Sequence, residues 1–341
     1  MNLMQLLITV VTLGGVYSLL SLALNLQLGY TGLINFGIVA YFAAGAYTYV
    51  ILVQPAPGEF DSYVFGFGLP VWVGLIGAGL AGSVFALITG WPCLRLRGEY
   101  LALTTFAFAE VLGSVITNAD AITNGTLGFT NLPQPLENLV APQDYSKLLA
   151  AMIALIVIIV YLVIRRITAS PYGTVLKAVR DDELAASLAG KRIQRLRLQS
   201  FVAGAFISGI AGAIYTWYTT VASPGLFSAD ITFTVFIILT LGGIGSNLGA
   251  LIGAFILIGF QEVVRGLATN PVVAERVGSV VVALEGLMFL LVLRFFPGGA
   301  AEALTRLRFR LTAKRRGRSD AGQNPDSGTP VLAASGDGSV G

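Results

Sequence analysis

The stretch RRITASPYGTVLKAVRDDELAASLAGKRIQRLR, at Arg165–Arg197, is the long polar segment between two hydrophobic runs of this chain. It holds eight Lys and Arg residues against three acids, Asp181, Asp182 and Glu183. Apolar runs precede and follow it, and dense positive charge beside membrane spans marks the cytoplasmic side. We therefore interpret Arg165–Arg197, hereafter the central loop, as cytoplasmic, and this fixes the orientation of the other segments.

The middle of the central loop predicts a short helix. Ala185, Ala186 and Ala189 are good helix formers. The acids precede them, where the positive end of the helix dipole favours negative charge, and Gly190 follows as a residue that commonly ends helices. A helix that stops inside a cytoplasmic loop indicates a docking element. The alternative is a solvated basic linker that only satisfies the topology.

Composition indicates an integral membrane protein. Of the 341 residues, 55% are hydrophobic and 11% charged, whereas soluble domains carry about 25% charged residues. The chain has no histidine and one cysteine, Cys93, which excludes Ser-His-Asp or Cys-His catalysis and a paired-cysteine metal site. No phosphate-binding GxxxxGK[ST] motif occurs. We therefore expect no enzyme active site, metal or cofactor, and the placement of the basic residues indicates topology rather than nucleic-acid binding.

The apolar runs predict an all-α fold, a polytopic transmembrane helical bundle of about 8–10 spans, because a helix needs about 20 apolar residues to cross a membrane. The candidate spans are 3–28, 36–54, 69–93, 100–118, 147–164, 198–221, 231–247, 248–265 and 276–295. The side of the N-terminus stays open, because 29–40 is either a re-entrant piece or a tight turn.

Charges between the spans agree with one topology. The segment 119–146 carries acids but neither Lys nor Arg and is predicted to be external, whereas the basic segment after the last span returns to the cytoplasm. We predict a transmembrane domain at 1–300 and a cytoplasmic tail at 301–341. The tail is basic at first and then rich in Gly, Ser, Asp and Pro, which is typical of disorder.

Two glycine-rich breaks interrupt the apolar runs: LGYTGLINFG at 28–37, the first break, and LGGIGSNLG at 241–249, the second break. They form a weak internal repeat, and such paired interruptions indicate a transporter pathway, whereas two ordinary cytoplasmic turns are the alternative. Backbone donors of the first break could meet a substrate carboxylate. The predicted pathway residues are Asn25, Gly29, Thr31, Gly32, Asn35, Gly37, Gly242, Gly243, Gly245 and Asn247.

Two acids lie within predicted spans. Glu110 is in the middle of LALTTFAFAEVLGSVIT and Glu285 is in the middle of VVVALEGLMFLL. Intramembrane acids are costly in lipid and often functional, but a hydrogen-bonded acid between helices is the alternative. We favour that alternative for Glu285 and include Glu110 among the pathway residues while leaving both readings open.

The chain resembles the LivM-type permeases of branched-chain amino acid ABC importers. Four stretches carry the resemblance, namely LNLQLGYTGLINFGIVAYFAAGAY (24–47), LRLRGEYLALTTFAFAEVL (94–112), SPYGTVLKAVRDDELAASLAGKRIQRLRLQSFVAGAFISGIAGAIY (170–215) and LGGIGSNLGALIGAF (241–255). With a closing Arg-Phe-Phe-Pro-Gly they cover nearly all of 1–300 in family order. The resemblance implies the permease fold of ABC importers.

The resemblance also implies that the central loop couples transport to ATP hydrolysis. The family pattern E-A-A-x-x-x-G falls on Glu183, Ala185, Ala186 and Gly190, with Leu184 inserted between Glu and Ala; Asp182 directly precedes it. The partners implied are a second permease subunit of the LivH type, two ATP-binding subunits on the cytoplasmic side and an external substrate-binding protein.

We therefore expect a multi-pass permease subunit in the cytoplasmic membrane that translocates branched-chain or similar amino acids, with a partner hydrolysing ATP. One alternative is an ABC permease for urea or short amides. Another is an ion-coupled secondary transporter of small polar solutes that uses Glu110. A coupling loop separates these classes, because a secondary transporter needs no ATPase docking site.

Overall fold

The structure is a computed structural model that describes residues 3–56, 64–96, 98–137 and 140–267, together with 278, 280–284, 286–290 and 294. These residues lie in one compact unit, Met1–Ala301. Within the described ranges the fold is all-α, and its only β-type pairing is an isolated bridge between Phe129 and Ala222. The predicted tail at 301–341 lies outside the described residues.

The helices follow one another with short connections. In chain order they are α1 (Leu3–Leu24, continued by a π-helical turn at Asn25–Tyr30), α2 (Ile38–Val53), α3 (Val71–Cys93), α4 (Glu99–Asn118), α5 (Asp120–Thr123), α6 (Pro142–Thr168), α7 (Pro171–Asp181), α8 (Glu183–Leu188), α9 (Ile193–Thr219), α10 (Ala229–Gly242, after a 3-10 turn at Pro224–Leu226) and α11 (Asn247–Leu267).

Seven of the described helices are long and apolar enough to cross a membrane, which confirms a polytopic helical bundle. They are Leu3–Tyr30, Val71–Cys93, Glu99–Asn118, Asp144–Thr168, Ile193–Thr219, Pro224–Gly242 and Asn247–Gly266. Two shorter apolar helices, Ile38–Val53 and Val280–Leu290, correspond to the remaining predicted spans.

Helices α2, α3 and α9 pack through small residues. A Cβ atom on Gly209 would collide with the carbonyl of Ala78, and one on Gly82 would collide with the carbonyl of Ala205. A Cβ on Gly45 would likewise collide with the backbone of Gly209. These backbones approach as closely as glycine allows, which is how helices associate in lipid without a hydrophobic driving force. These glycines of α2, α3 and α9 therefore belong to a packing face; we call this contact the glycine seam.

Helix α1 runs through the interior, against α6, α9 and α11. Its second half is buried, and Gly15 leaves room there for the side chain of Ile153. By contrast, the outer faces of α3 and α6 expose large apolar side chains such as Ile88, Leu155 and Ile158. Such a surface suits contact with lipid chains, so α1 is an inner helix whereas α3 and α6 are peripheral.

The central loop contains two helices where the sequence predicted one. The predicted helix is α8, and Gly190 follows it with φ = +75°, a backbone conformation that favours glycine. Helix α7 was not predicted; its first turn contains Pro171 and Gly173, residue types that often interrupt helices. Pro171 is at the first position of α7, where the missing N–H costs nothing. A Cβ on Gly173 would collide with the backbone of Thr168, so this glycine permits the tight entry into α7.

Candidate functional site: two glycine-rich breaks joined to the central loop

Helix α1 loses its regular helical hydrogen bonds at Asn25, so the structure extends the first break from 28–37 to 25–37. The turn NLQLGY at Asn25–Tyr30 is π-helical, and a π-helical turn inside an α-helix often marks a functional site. The N–H of Leu33 then bonds to the carbonyl of Gln27 at 2.9 Å, and Gly32 has φ = +71°. The chain leaves the helix at this glycine and re-enters one at Ile38. The sequence located this interruption but not the π-helical turn.

The polar side chains of the first break are buried and bonded to one another. Asn35 donates to the side-chain oxygen of Gln27 at 2.8 Å and accepts from the N–H of Gly37 at 2.8 Å. Gln27 in turn donates to the carbonyl of Phe201 on α9 at 2.9 Å. The Thr31 hydroxyl lies 2.7 Å from that of Ser200, also on α9. These groups fasten the first break to α9.

Helix α4 also holds the first break. The N–H of Phe36 donates to the Thr105 hydroxyl at 3.1 Å. A Cβ on Gly37 would lie 2.7 Å from the carbonyl of Thr105, so the two backbones are in direct contact. The first break therefore lies between α4 and α9, in a protein environment where irregular backbone is tolerated at membrane depth.

The second break meets the first through two asparagines. Asn25 donates to the side-chain oxygen of Asn247 at 2.8 Å, and its own oxygen accepts from the N–H of Gly245 at 2.8 Å. Asn247 donates to the hydroxyl of Thr168, the last residue of α6, at 2.8 Å. A Cβ on Gly29 would lie 2.7 Å from the Gly245 nitrogen. The structure thus brings together two segments more than 200 residues apart in sequence.

The remaining glycines of the second break serve its own turn. Gly243 and Gly245 have φ = +102° and +86°, conformations that side chains rarely adopt. A Cβ on Gly242 would collide with the carbonyl of Gly249, so α10 and α11 diverge from a tight backbone contact. This part of the predicted pathway is a compact turn beside the end of α6.

Arg180 of α7 reaches both breaks, although no local sequence pattern distinguishes it from the other basic residues of the central loop. Its guanidinium nitrogen Nη1 donates to the carbonyl of Gly29 at 2.6 Å, and another, Nη2, pairs with Asp181 at 2.8 Å. A Cβ on Gly32 would lie 3.1 Å from Cγ of Arg180, and one on Gly245 would lie 3.4 Å from Nη1. The central loop is therefore in contact with both glycine-rich breaks.

The predicted coupling residues lie on α8 and at its two ends. Asp182 caps the helix, accepting from the N–H of Ala185 at 3.0 Å, and Glu183 pairs with Arg197 of α9 at 3.2 Å. Ala185 and Gly190 are exposed, whereas Ala186 is 6% exposed and packs against the chain itself. A charge at Ala186 would therefore disturb the chain's own packing before any docking.

Two leucines give α8 an apolar outer face that sequence reasoning did not select. Leu184 is 70% exposed and Leu188 is 81% exposed. They are four residues apart, so they lie on one side of the helix. The available signal was the four-residue spacing of Leu184 and Leu188 within the predicted helix.

A tyrosine joins α7 to α9. The Tyr172 hydroxyl donates to the side-chain oxygen of Gln199 at 3.2 Å. Burial raises the pKa of Tyr172 above its usual value. Helices α7 and α8 therefore form a folded arm attached to the bundle rather than a loose linker.

Glu110 is placed apart from the two breaks. It lies on the exposed face of α4, and among the described residues no hydrogen bond joins it to either break. Ser114, one turn further on, shares this face, and a Cβ on Gly113 would meet no atom within 4 Å. Glu285, the other intramembrane acid, lies outside the described residues. Within the described ranges no group of metal-ligating side chains forms a metal site.

The described residues thus form a polytopic helical membrane protein in which a structured loop is joined to two broken segments. The profile of the family described as branched-chain amino acid transport system / permease component matches residues 6–293, so the chain belongs to this family. The expected LivM-type resemblance and the expectation of a transport subunit rather than an enzyme agree with this family.

Curated relatives come from bacteria and archaea. The high-affinity branched-chain amino acid transport system permease protein LivM of Escherichia coli K12 is 30% identical over 280 residues, which are 76% of this chain and 63% of that protein. The chain thus matches less than two thirds of that relative's length. A probable LivM permease of Methanocaldococcus jannaschii is 27% identical over 84% of this chain and 90% of that protein.

Permeases of a second type are also similar. The protein LivH of Escherichia coli K12 is 27% identical over 261 residues, which are 72% of this chain and 81% of that protein. No solved structure matches the chain significantly.

Proposed function

We propose that this chain is the translocating subunit of an ABC importer for branched-chain or similar amino acids in the cytoplasmic membrane. The observation that carries the proposal is the arm formed by α7 and α8. It presents two exposed leucines outward and contacts the broken segments inward through Arg180. A secondary transporter needs no ATPase docking site, so the arm favours a transporter driven by an ATP-hydrolysing partner.

The proposed ATPase docking site is α8. Leu184 and Leu188 supply an apolar surface for a groove on an ATP-binding subunit, and Asp182 and Gly190 fix the two ends of the helix. Because Ala186 is buried behind them, its role in docking is to set the position of α8 rather than to form the contact. This placement requires the central loop to be cytoplasmic, and the C-terminus with it.

The complete importer would contain a second permease subunit, two ATP-binding subunits and an external substrate-binding protein. The similarity to both LivM and LivH permeases supports pairing with a chain of the LivH type. The exposed position of Glu110 supports such a neighbour, because a carboxylate facing lipid in mid-span costs about 2.5–3.5 kcal/mol. The pathway would then run along the first break and the outer face of α4.

An affinity experiment tests the docking surface. The wild-type chain and a variant that combines Leu184→Glu with Leu188→Glu are each purified in mild detergent from the cells that naturally produce the protein. We expect ATP-binding subunits to copurify with the wild type and to be lost with the variant, because two charges enter an apolar contact. Leu127→Glu, which makes the same change at a comparably exposed leucine in the predicted external segment, should retain them.

An uptake experiment tests the substrate class. Cells or vesicles containing the complete importer should accumulate radiolabelled leucine when ATP is supplied, and should continue to do so when ion gradients are collapsed. Uptake that stops with the gradients would favour a secondary transporter, and uptake of urea in preference to leucine would favour the amide permease.

A further inference from the structure

We infer that Arg180 is the positioning residue through which the central loop sets the conformation of both glycine-rich breaks. This inference rests on the proposed transport function and goes beyond it by naming the contact that would carry motion from α8 to the pathway. It starts from one carbonyl group at the end of α1.

The carbonyl of Gly29 is among those that a helix cannot satisfy by itself. Helix α1 ends at the first break, and the N–H of Leu33, four residues after Gly29, bonds instead to the carbonyl of Gln27. The last carbonyls of a helix need other partners, and positive charge is favourable there because the helix dipole is negative at that end. Arg180 supplies both, through Nη1 at 2.6 Å.

The glycines of both breaks leave space for this side chain. A Cβ on Gly32 would lie 3.1 Å from Cγ of Arg180, closer than side chains normally pack, and Gly245 lies beside Nη1 on the other side. The breaks are also joined directly, since the Gly29 and Gly245 backbones touch and Asn25 bonds to Gly245. Moving Arg180 would therefore affect the first and the second break together.

The arm connects Arg180 closely to the docking helix. Helix α7 ends at Asp181 and α8 begins at Glu183, so a single residue, Asp182, lies between them. Arg180 also pairs with Asp181, which orients the guanidinium from within the same turn. Displacement of α8 by an ATP-binding subunit would thus be transmitted to Arg180 across two residues.

The Arg180 contact can open and close without unfolding the bundle. About one third of its side chain is exposed, so the guanidinium can exchange Gly29 for water. The Gly29 carbonyl would then lose its partner, and the first break would be free to rearrange. Lys177, one turn earlier on α7, makes a different contact: its ammonium lies 5.3 Å from the centroid of the Tyr30 ring, so its removal leaves the Gly29 carbonyl bonded to Arg180.

The test uses the complete importer in lipid vesicles. The substrate-loaded binding protein is placed on the side of the vesicle membrane that corresponds to the cell exterior. Leucine uptake and ATP hydrolysis are measured on the same preparation. For Arg180→Ala we expect the rate of leucine uptake to fall about tenfold or more, because a hydrogen bond from a charged group is lost. The basal rate of ATP hydrolysis, measured without substrate, should stay unchanged. Lys177→Ala removes an equal charge from the same helix and should leave transport per ATP as in the wild type.

A second variant covers the case in which Arg180→Ala does not assemble. Arg180→Gln keeps a hydrogen-bond donor of similar shape without the charge, and it should also transport less leucine per ATP than the wild type. Wild-type transport per ATP in Arg180→Gln or Arg180→Ala would overturn the inference. Equal losses in Arg180→Ala and Lys177→Ala would also overturn it, by assigning Arg180 a general charge role. Loss of copurified ATP-binding subunits in both Arg180→Ala and Arg180→Gln would overturn it too, by assigning Arg180 a docking role.

Failure of the proposed function remains distinguishable. A wild-type importer that takes up another solute but not leucine would refute the substrate class. Transport per ATP measured with that solute would still decide the role of Arg180.

Discussion

The first break and the middle of α4 both carry polar side chains within apolar surroundings, but these side chains find hydrogen-bond partners in opposite ways. At the first break Gln27 and Asn35 are fully buried, and both bond within the chain. On α4 Glu110 and Ser114 face outward from the bundle. The first region is complete in a single chain, whereas the second needs water or another subunit against it. Burial, rather than residue type, therefore separates the polar side chains that hold the first break in place from those left open to a partner.

The largest expected effect comes from Gly29→Leu. Its side chain would collide with the side-chain oxygen of Asn25 and with the Gly245 backbone, and backbone cannot be displaced cheaply. Overpacking of this kind costs about 1–3 kcal/mol or more, so we expect little folded protein and no uptake. The measurement is the yield of monodisperse protein in detergent, followed by leucine uptake.

The matched control for this change is Gly113→Leu on α4, where an added side chain meets open space. It should preserve the yield of folded protein. Normal uptake by Gly29→Leu would mean that the two breaks do not need to touch, and the contrast between the regions would fail.

Asn35→Leu should have the next largest effect. It leaves the Gln27 side-chain oxygen and the Gly37 N–H buried without their partner, and each such group costs about 1–3 kcal/mol. We expect the apparent melting temperature of the purified chain to fall by several degrees. Glu110→Leu, made in parallel, should leave that temperature unchanged or raise it; a fall as large as that of Asn35→Leu would show that Glu110 also has a structural role within the chain.

A smaller effect is expected for Glu110→Leu in the complete importer. If the outer face of α4 lines the pathway or the contact with a second permease, loss of the carboxylate should lower leucine uptake several-fold at unchanged stability. Initial uptake rates of Glu110→Leu and Glu110→Gln are compared with the wild type. Wild-type rates in both variants would exclude Glu110 from the transport mechanism.

The smallest effect is expected for Thr31→Val. The Thr31 hydroxyl is lost, but Ser200 keeps a second partner, the carbonyl of Leu26 at 2.9 Å. No buried group is left unpaired, so the cost should be about 1 kcal/mol. A change in melting temperature as large as that of Asn35→Leu would contradict the hydrogen-bond arrangement described for the first break.

Much of the fold could be predicted from the sequence because lipid imposes simple requirements. The lengths of the apolar runs predicted the spans, and the position of Gly190 predicted the end of α8. The contact between the breaks could not be predicted, because nothing local links Asn25 to Asn247. The same holds for Arg180, which differs from the other basic residues of the central loop only in what the fold places beside it. The exposure of individual side chains could not be predicted either: Ala185 and Ala186 are adjacent residues of the same type, yet Ala185 is exposed and Ala186 is buried.

The glycine seam limits how this sequence can vary. Ile88 of α3 is exposed, and fluid lipid chains against such a position would adapt to any apolar side chain of reasonable size. At Gly209 the neighbour is the main chain of Ala78, which every amino acid possesses, so no compensating replacement on α3 can restore the space. In a library of random variants, second-site suppressors should therefore be recoverable for many damaged positions of this protein, but reversion to glycine should be the route back at Gly209.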